Sequence, residues 1–127
     1  MLKKTITYTD YNGLVRTEDF YFNLSKAELM DMEAGTPGGY AAVLQSIVDA
    51  KDVPALIKIF KDLILKAYGI KSADGRRFIK SEEISTEFAQ TEAYVNLYME
   101  MVTDDKAAAE FTNGIIPKMD SVVKLPQ

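Results

Sequence analysis

Polar and apolar residues alternate over positions 4 to 9 and again over 14 to 22, on either side of Asp10-Tyr11-Asn12-Gly13, and this predicts a β-hairpin. A two-residue Asn12-Gly13 loop would set Ile6 opposite Asp19 and mix the apolar sets. A three-residue Tyr11-Asn12-Gly13 loop, with Gly13 in the left-handed position, sets Asp10 opposite Leu14 and gives all even positions one face. Ile6, Tyr8, Leu14, Phe20 and Phe22 then face the core. Thr5, Thr7, Thr9, Thr17 and Asp19 lie opposite, solvated or used for pairing.

From Leu24 the spacing of apolar residues becomes helical. Ser25 and Glu28 form a capping box flanked by Leu24 and Leu29, so a helix starts there and runs to about Ala34, ending at Gly35. Thr36-Pro37 reads as the start of a second helix through Tyr40, Val43, Leu44, Ile47 and Val48, with a Gly-rich elbow at 35 to 39. Asp52 caps a third helix, Gly69 stops it, and its broad apolar surface makes it the central one. After a Ser72-Ala73-Asp74-Gly75 turn and an extended piece from Arg76 to Lys80, Ser81 caps one long helix. Its stripe is Ile84, Phe88, Val95, Tyr98 and Val102, with Tyr94, Leu97 and Met101 beside it. Thr103 or Asp104 caps a last helix that ends at Asn113-Gly114.

The class is therefore α+β and mostly helical, a hairpin followed by about five helices. Residues 3–117 read as one domain and 118–127 as a flexible tail.

Composition narrows the chemistry. The 127 residues contain no His, Cys or Trp, which removes the side chain that titrates near neutrality, the thiolate nucleophile and the usual zinc ligands. An enzyme would have to work with carboxylate, Lys, Tyr or Ser/Thr chemistry alone. The net charge of −4 opposes general nucleic-acid binding. No apolar run approaches the roughly 18 residues of a membrane span, and the basic N-terminus lacks the apolar stretch of an export signal. The expected set is no cofactor, no metal, no membrane, no nucleic acid, and a protein partner.

Candidate sites carry structural readings beside functional ones. Asp31 with Glu33, and Asp104 with Asp105, lack the spacing of a cation loop and fit helix termini better. Glu82 and Glu83 suit a first helical turn. Gly35, Gly38 and Gly39 lack a phosphate-loop setting. Arg76 and Arg77 form the only adjacent arginine pair, and either pair locally with Glu82 or Glu83 or bind a partner's phosphate or carboxylate. Met30, Met32, Met99, Met101 and Met119, with seven Tyr, suit an adaptable contact surface. Helical spacing assigns Met99 and Met101 to the core. Met30, Met32 and Tyr40, beside the elbow, are the preferred contacts, with Arg76 and Arg77 as further partner-binding candidates.

Four segments, Thr17-Glu18-Asp19-Phe20-Tyr21-Phe22-Asn23-Leu24, Asp74-Gly75-Arg76-Arg77-Phe78-Ile79-Lys80-Ser81, Phe88-Ala89-Gln90-Thr91-Glu92-Ala93-Tyr94 and Asn113-Gly114-Ile115-Ile116-Pro117, in this order resemble the tail assembly chaperones of long-tailed bacteriophages and prophages of Gram-positive hosts. The resemblance implies a non-enzymatic protein of the host cytoplasm, absent from the mature virion. Such a protein binds the tape-measure protein, keeps it soluble and helps recruit tail-tube subunits, the last mainly through a longer form made by ribosomal frameshifting. Ile116-Pro117-Lys118 can be encoded with a slippery heptamer, and Lys124 is a second place for one. Several copies along one client would add avidity, so a homo-oligomer is a further expectation. The alternative is a structural virion protein, such as a tail-completion or head-tail connector subunit.

Overall fold

In the computed structural model, which describes residues 1–117, the alternating segments form antiparallel strands β1 (Leu2–Thr9) and β2 (Val15–Phe22). They pair Thr9 with Val15, Ile6 with Glu18 and Leu2 with Phe22. This is the register of the three-residue loop. Gly13 takes φ +81°, the Gly13 N–H donates to the Asp10 carbonyl, and the Asp10 N–H donates to the Leu14 carbonyl. Ile6 and Phe22 are buried, with Tyr8 and Phe20 packed against the core. Leu14 departs from the expectation: it is 58% exposed, because it sits at the tip of the hairpin.

Ser25 caps α1 (Lys26–Gly35) with both hydrogen bonds of the capping box, and Leu24 and Leu29 are buried. The second helix, α2 (Tyr40–Ala50), starts later than Thr36-Pro37 suggests. Gly38 and Gly39 hold φ of +83° and +90°, outside the helical region, so Thr36 and Pro37 belong to the turn. With no cap from Gly39, α2 takes one from Glu33, which accepts from the Ala41 N–H at 2.7 Å. Asp52 accepts from the Ala55 N–H and caps α3 (Val53–Ala67), which buries Phe60, Leu63, Ile64 and Ala67.

Gly69 does not act as a helix stop. The chain turns into β3 (Tyr68–Lys71), which pairs with β2 through Tyr21↔Gly69 and Phe22↔Tyr68, and β4 (Phe78–Ile79) pairs with β3. The sheet thus has four strands in the order β1-β2-β3-β4. Gly69 is required by close approach: a Cβ there would lie 2.7 Å from the Phe78 ring and 2.9 Å from the Ile79 carbonyl oxygen.

The expected long helix is two, α4 (Glu82–Ala89) and α5 (Glu92–Thr103). Thr91 interrupts it, donating its hydroxyl to the Phe88 carbonyl and accepting from the Tyr94 N–H. The interruption resets the helical phase. Ala93, Tyr94, Leu97 and Met101 turn inward, whereas Val95, expected on the stripe, and Met99, assigned to the core by its spacing, are exposed. Asp104 caps α6 (Asp105–Ile115), which continues through Gly114 instead of ending there. A Cβ on Gly114 would meet Leu2 Cδ1 at 2.9 Å, so this glycine serves helix–strand contact. The split gives six helices among the described residues.

The helices pack against the even face of the sheet. Phe22 is at the centre, with ring centroids 5.7 Å from Tyr68, 5.8 Å from Phe88 and 5.3 Å from Phe111. Tyr68 stacks on Phe88 at 4.0 Å. The odd face of β1 and β2 is exposed at Thr5, Thr7, Thr9, Thr17 and Asp19, with Thr5 donating to Asp19 and Thr7 bonded to Thr17. The tail expected at residues 118–127 lies outside the described residues, as does Met119.

Candidate partner-binding site

Two surfaces hold the residues singled out by the sequence. The first is the arm made of α1, α2 and the start of α3. Leu29 and Leu44 are buried there yet stand apart from the main core cluster, whereas Met32 and Tyr40 pack against that cluster. Met30 is 47% exposed. Of the expected trio, therefore, one side chain is open to a partner and two also help join the arm to the body.

The arm exposes more apolar surface than the trio. Val48 on α2 and Val53 at the start of α3 are open, and Leu44 is the only buried residue of α2. The signal was present in the sequence: Tyr40-Ala41-Ala42-Val43-Leu44-Gln45-Ser46-Ile47-Val48 holds more apolar residues than one packed stripe requires. Met30, Val48 and Val53, one on each helix of the arm, are exposed side chains suited to apolar contact.

Tyr40 is unusual within the arm. Its hydroxyl oxygen is buried without a hydrogen-bond partner among the described residues, and burial, with the nearby Asp62 charge, pushes its pKa to about 12. It stays a neutral phenol through the physiological range.

The second surface is the turn between β3 and β4. Asp74 accepts from the Ser72 hydroxyl and the Arg76 N–H, and the Arg77 N–H donates to Ser72 Oγ. These bonds to its ionised form hold the Asp74 carboxyl below its usual range. Arg76 and Arg77 are exposed and join in no ion pair among the described residues, so local pairing with Glu82 or Glu83 does not occur. Met30 and Met32 lie on α1 and Tyr40 at the start of α2, with Met30 exposed and the other two packed against the core, and Arg76 and Arg77 lie apart in the β3–β4 turn.

Other polar clusters have structural duties. Glu33 caps α2, Asp104 caps α6 through the Lys106 and Ala107 N–H groups, and Asp10 accepts from the Asn12 and Leu14 N–H groups while pairing with Arg16 at 2.6 Å. Glu82 and Glu83 occupy the first turn of α4. Among the described residues, no three carboxylates gather as a metal site and no helix is long and apolar enough to cross a membrane. An open depression of about 500 Å³ lies between the hairpin tip and α5, lined by Thr9, Tyr11, Val15, Glu92 and Asn96 among others.

Among known proteins, the model of a family described as phage tail assembly chaperone matches residues 1–123. No curated protein and no solved structure matches the chain.

Proposed function

The chain belongs to the phage tail assembly chaperone family, and from that membership we propose that it binds the tape-measure protein in the host cytoplasm, keeps it soluble and helps recruit tail-tube subunits. The observation that carries this reading is the apolar arm. Met30, Val48 and Val53 are exposed there; Tyr11, Leu14 and Val15 at the hairpin tip and Val95 and Met99 on α5 are exposed too, but only the arm joins such side chains to the Gly-rich elbow. An amphipathic client helix presents an apolar stripe that such a surface accepts, and Met adapts to irregular partners. Chaperoning asks only for reversible shielding of that stripe, which agrees with a chain lacking His and Cys.

The test is co-expression with the tape-measure protein, scored by soluble client and co-purification. The intact chain should keep the client in solution and leave with it. A triple Met30→Gln, Val48→Gln, Val53→Gln variant should fold equally well and lose that capacity. Client that precipitates regardless of the intact chain, or stoichiometric copies of the chain in purified particles, overturns the reading.

Recruitment of tube subunits is assigned mainly to a longer, frameshifted product. Reading the codons of Ile116-Pro117-Lys118 and Lys124 tests this: a slippery heptamer is expected at one of them, and its absence from both removes that route. Self-association along the client is a further part of the proposal, read out by light scattering of the complex.

A further inference from the structure

We propose that the uncovered face of the sheet, centred on Lys3, Tyr21, Lys71 and Phe78 with Arg76 and Arg77 at its corner, docks an acidic segment of the protein client. The proposal rests on the client-binding reading for the client's identity, but its surface is separate from the apolar arm.

Strand register assembles this face. Lys3 pairs with Tyr21, Tyr21 with Gly69, and Lys71 with Phe78, and the strict alternation of side chains puts all five on the side away from the helices. Phe78 folds over Gly69, where only hydrogen stands in place of a side chain. The result is a low aromatic floor of Tyr21 and Phe78. Lys71 Nζ stands 4.9 Å from the Tyr21 ring centroid, and Lys80 Nζ stands 5.7 Å from that of Phe78. Tyr21 and Phe78 are part-buried, and Lys3 and Lys71 beside them are exposed.

Charge then selects the partner. Lys3, Lys71, Arg76 and Arg77 are exposed, and none joins an ion pair among the described residues. The carboxylates closest along the strands and turn, Asp19 and Asp74, accept from the Thr5 hydroxyl and from the Ser72 hydroxyl and Arg76 N–H, bonds that do not cancel their charge, so they offset part of that of the cations. Lys80 is neutralised by Glu28. A chain of net charge −4 thus gathers four cations against two carboxylates around one aromatic face and its adjoining turn. Its complement is a segment bearing several carboxylates with an aliphatic or aromatic side chain among them, the carboxylates meeting the cations and the apolar group lying on Tyr21 and Phe78. A second copy offering the same face would repel. Nucleic acid would meet too few cations against an acidic whole.

Fluorescence anisotropy of the full chain with a short labelled peptide alternating Glu and Leu tests the chemistry, with an oligouridine of equal length as competitor class. Binding that weakens with salt and falls by about tenfold or more in a Lys71→Glu, Arg76→Glu variant is expected, with Lys71→Arg retaining it. Circular dichroism and melting verify that the variants fold. Equal binding by the intact chain and the charge-reversed variant, no binding by either, or preference for oligouridine overturns the proposal. Co-expression separates it from the function above. If the charge-reversed variant solubilises and retains the client as well as the intact chain does, this face is not a docking site although the chaperone reading stands. If the peptide binds as expected but the intact chain fails to rescue the client, the chaperone reading falls and the acid-binding face remains.

Discussion

Lys80 Nζ lies 2.7 Å from Glu28 Oε2, tying the strand that precedes α4 to the first turn of α1. The same carboxylate accepts from the Ser25 N–H through its other oxygen, at 2.9 Å, so one side chain serves the cap and the tie together. Burial raises the Glu28 pKa, but the Lys80 and Ser25 bonds outweigh it and leave the group lowered.

Glu28→Ala removes both duties, and we expect a loss of about 1 kcal/mol, the usual worth of a helix cap. Lys80→Met leaves the cap and removes the tie together with the Lys80 bond to the Asn23 carbonyl at 2.6 Å. Half-exposed and screened, these should be worth less than the cap. Urea melts of both variants check the order. A larger loss from Lys80→Met would show that the Lys80 bonds dominate.

Phe22→Ala empties the centre of the aromatic cluster, where Phe22 is fully buried against Tyr68, Phe88 and Phe111. The expected cost is about 3–5 kcal/mol, a large share of the stability of a domain this size. Thermal denaturation should show a sharply lowered midpoint; an unchanged one would mean that the cluster repacks.

Gly69→Ala should cost about 1–3 kcal/mol, because the added methyl meets the Phe78 ring and the Ile79 carbonyl and cannot be accommodated without parting β3 from β4. Gly114→Ala meets only the mobile end of Leu2, and it gains helix propensity, so it should be much milder. Chemical denaturation of the two alanine variants side by side provides the comparison, and equal losses would contradict the contact geometry.

Alkaline titration addresses the buried phenols. Burial raises the pKa of Tyr40 to about 12, and burial likewise raises those of Tyr68 and Tyr94. The folded state therefore holds these protons more tightly than the unfolded chain does. Their contribution to stability is full below the unfolded value of about 10 and is lost as pH rises through the folded values. Tyrosinate absorbance should develop late for these residues, together with loss of structure. Ionisation of every tyrosine near the unperturbed value with the fold intact would contradict the burial.

The hairpin register was legible because Gly13 and the alternating strands leave one arrangement with all apolar residues on one face. The caps at Ser25, Asp52, Ser81 and Asp104 were legible because each is a local bond. The break at Thr91 escaped because no Gly or Pro marks it and the apolar spacing runs through. β3 escaped because Tyr68-Gly69 becomes a strand only by pairing with Phe22-Tyr21, remote in sequence. That omission also hid the open face, since Lys71 and Phe78 have no side of a sheet until β3 and β4 exist. Arg76 and Arg77 were visible as a pair, but not as the corner of that face.

The Asn23 N–H donates to the Ala67 carbonyl at 2.8 Å, where the chain leaves the sheet after β2 and just before it returns as β3. The chain between, with α1, the elbow, α2 and α3, is an excursion whose two ends are fastened side by side, and of these helices α3 is committed to the core through Phe60, Leu63 and Ile64. The elbow, which pairs with no strand, is where length can change without altering the sheet. The sheet is thus closed by a clasp at the root of the excursion, independent of what the elbow carries.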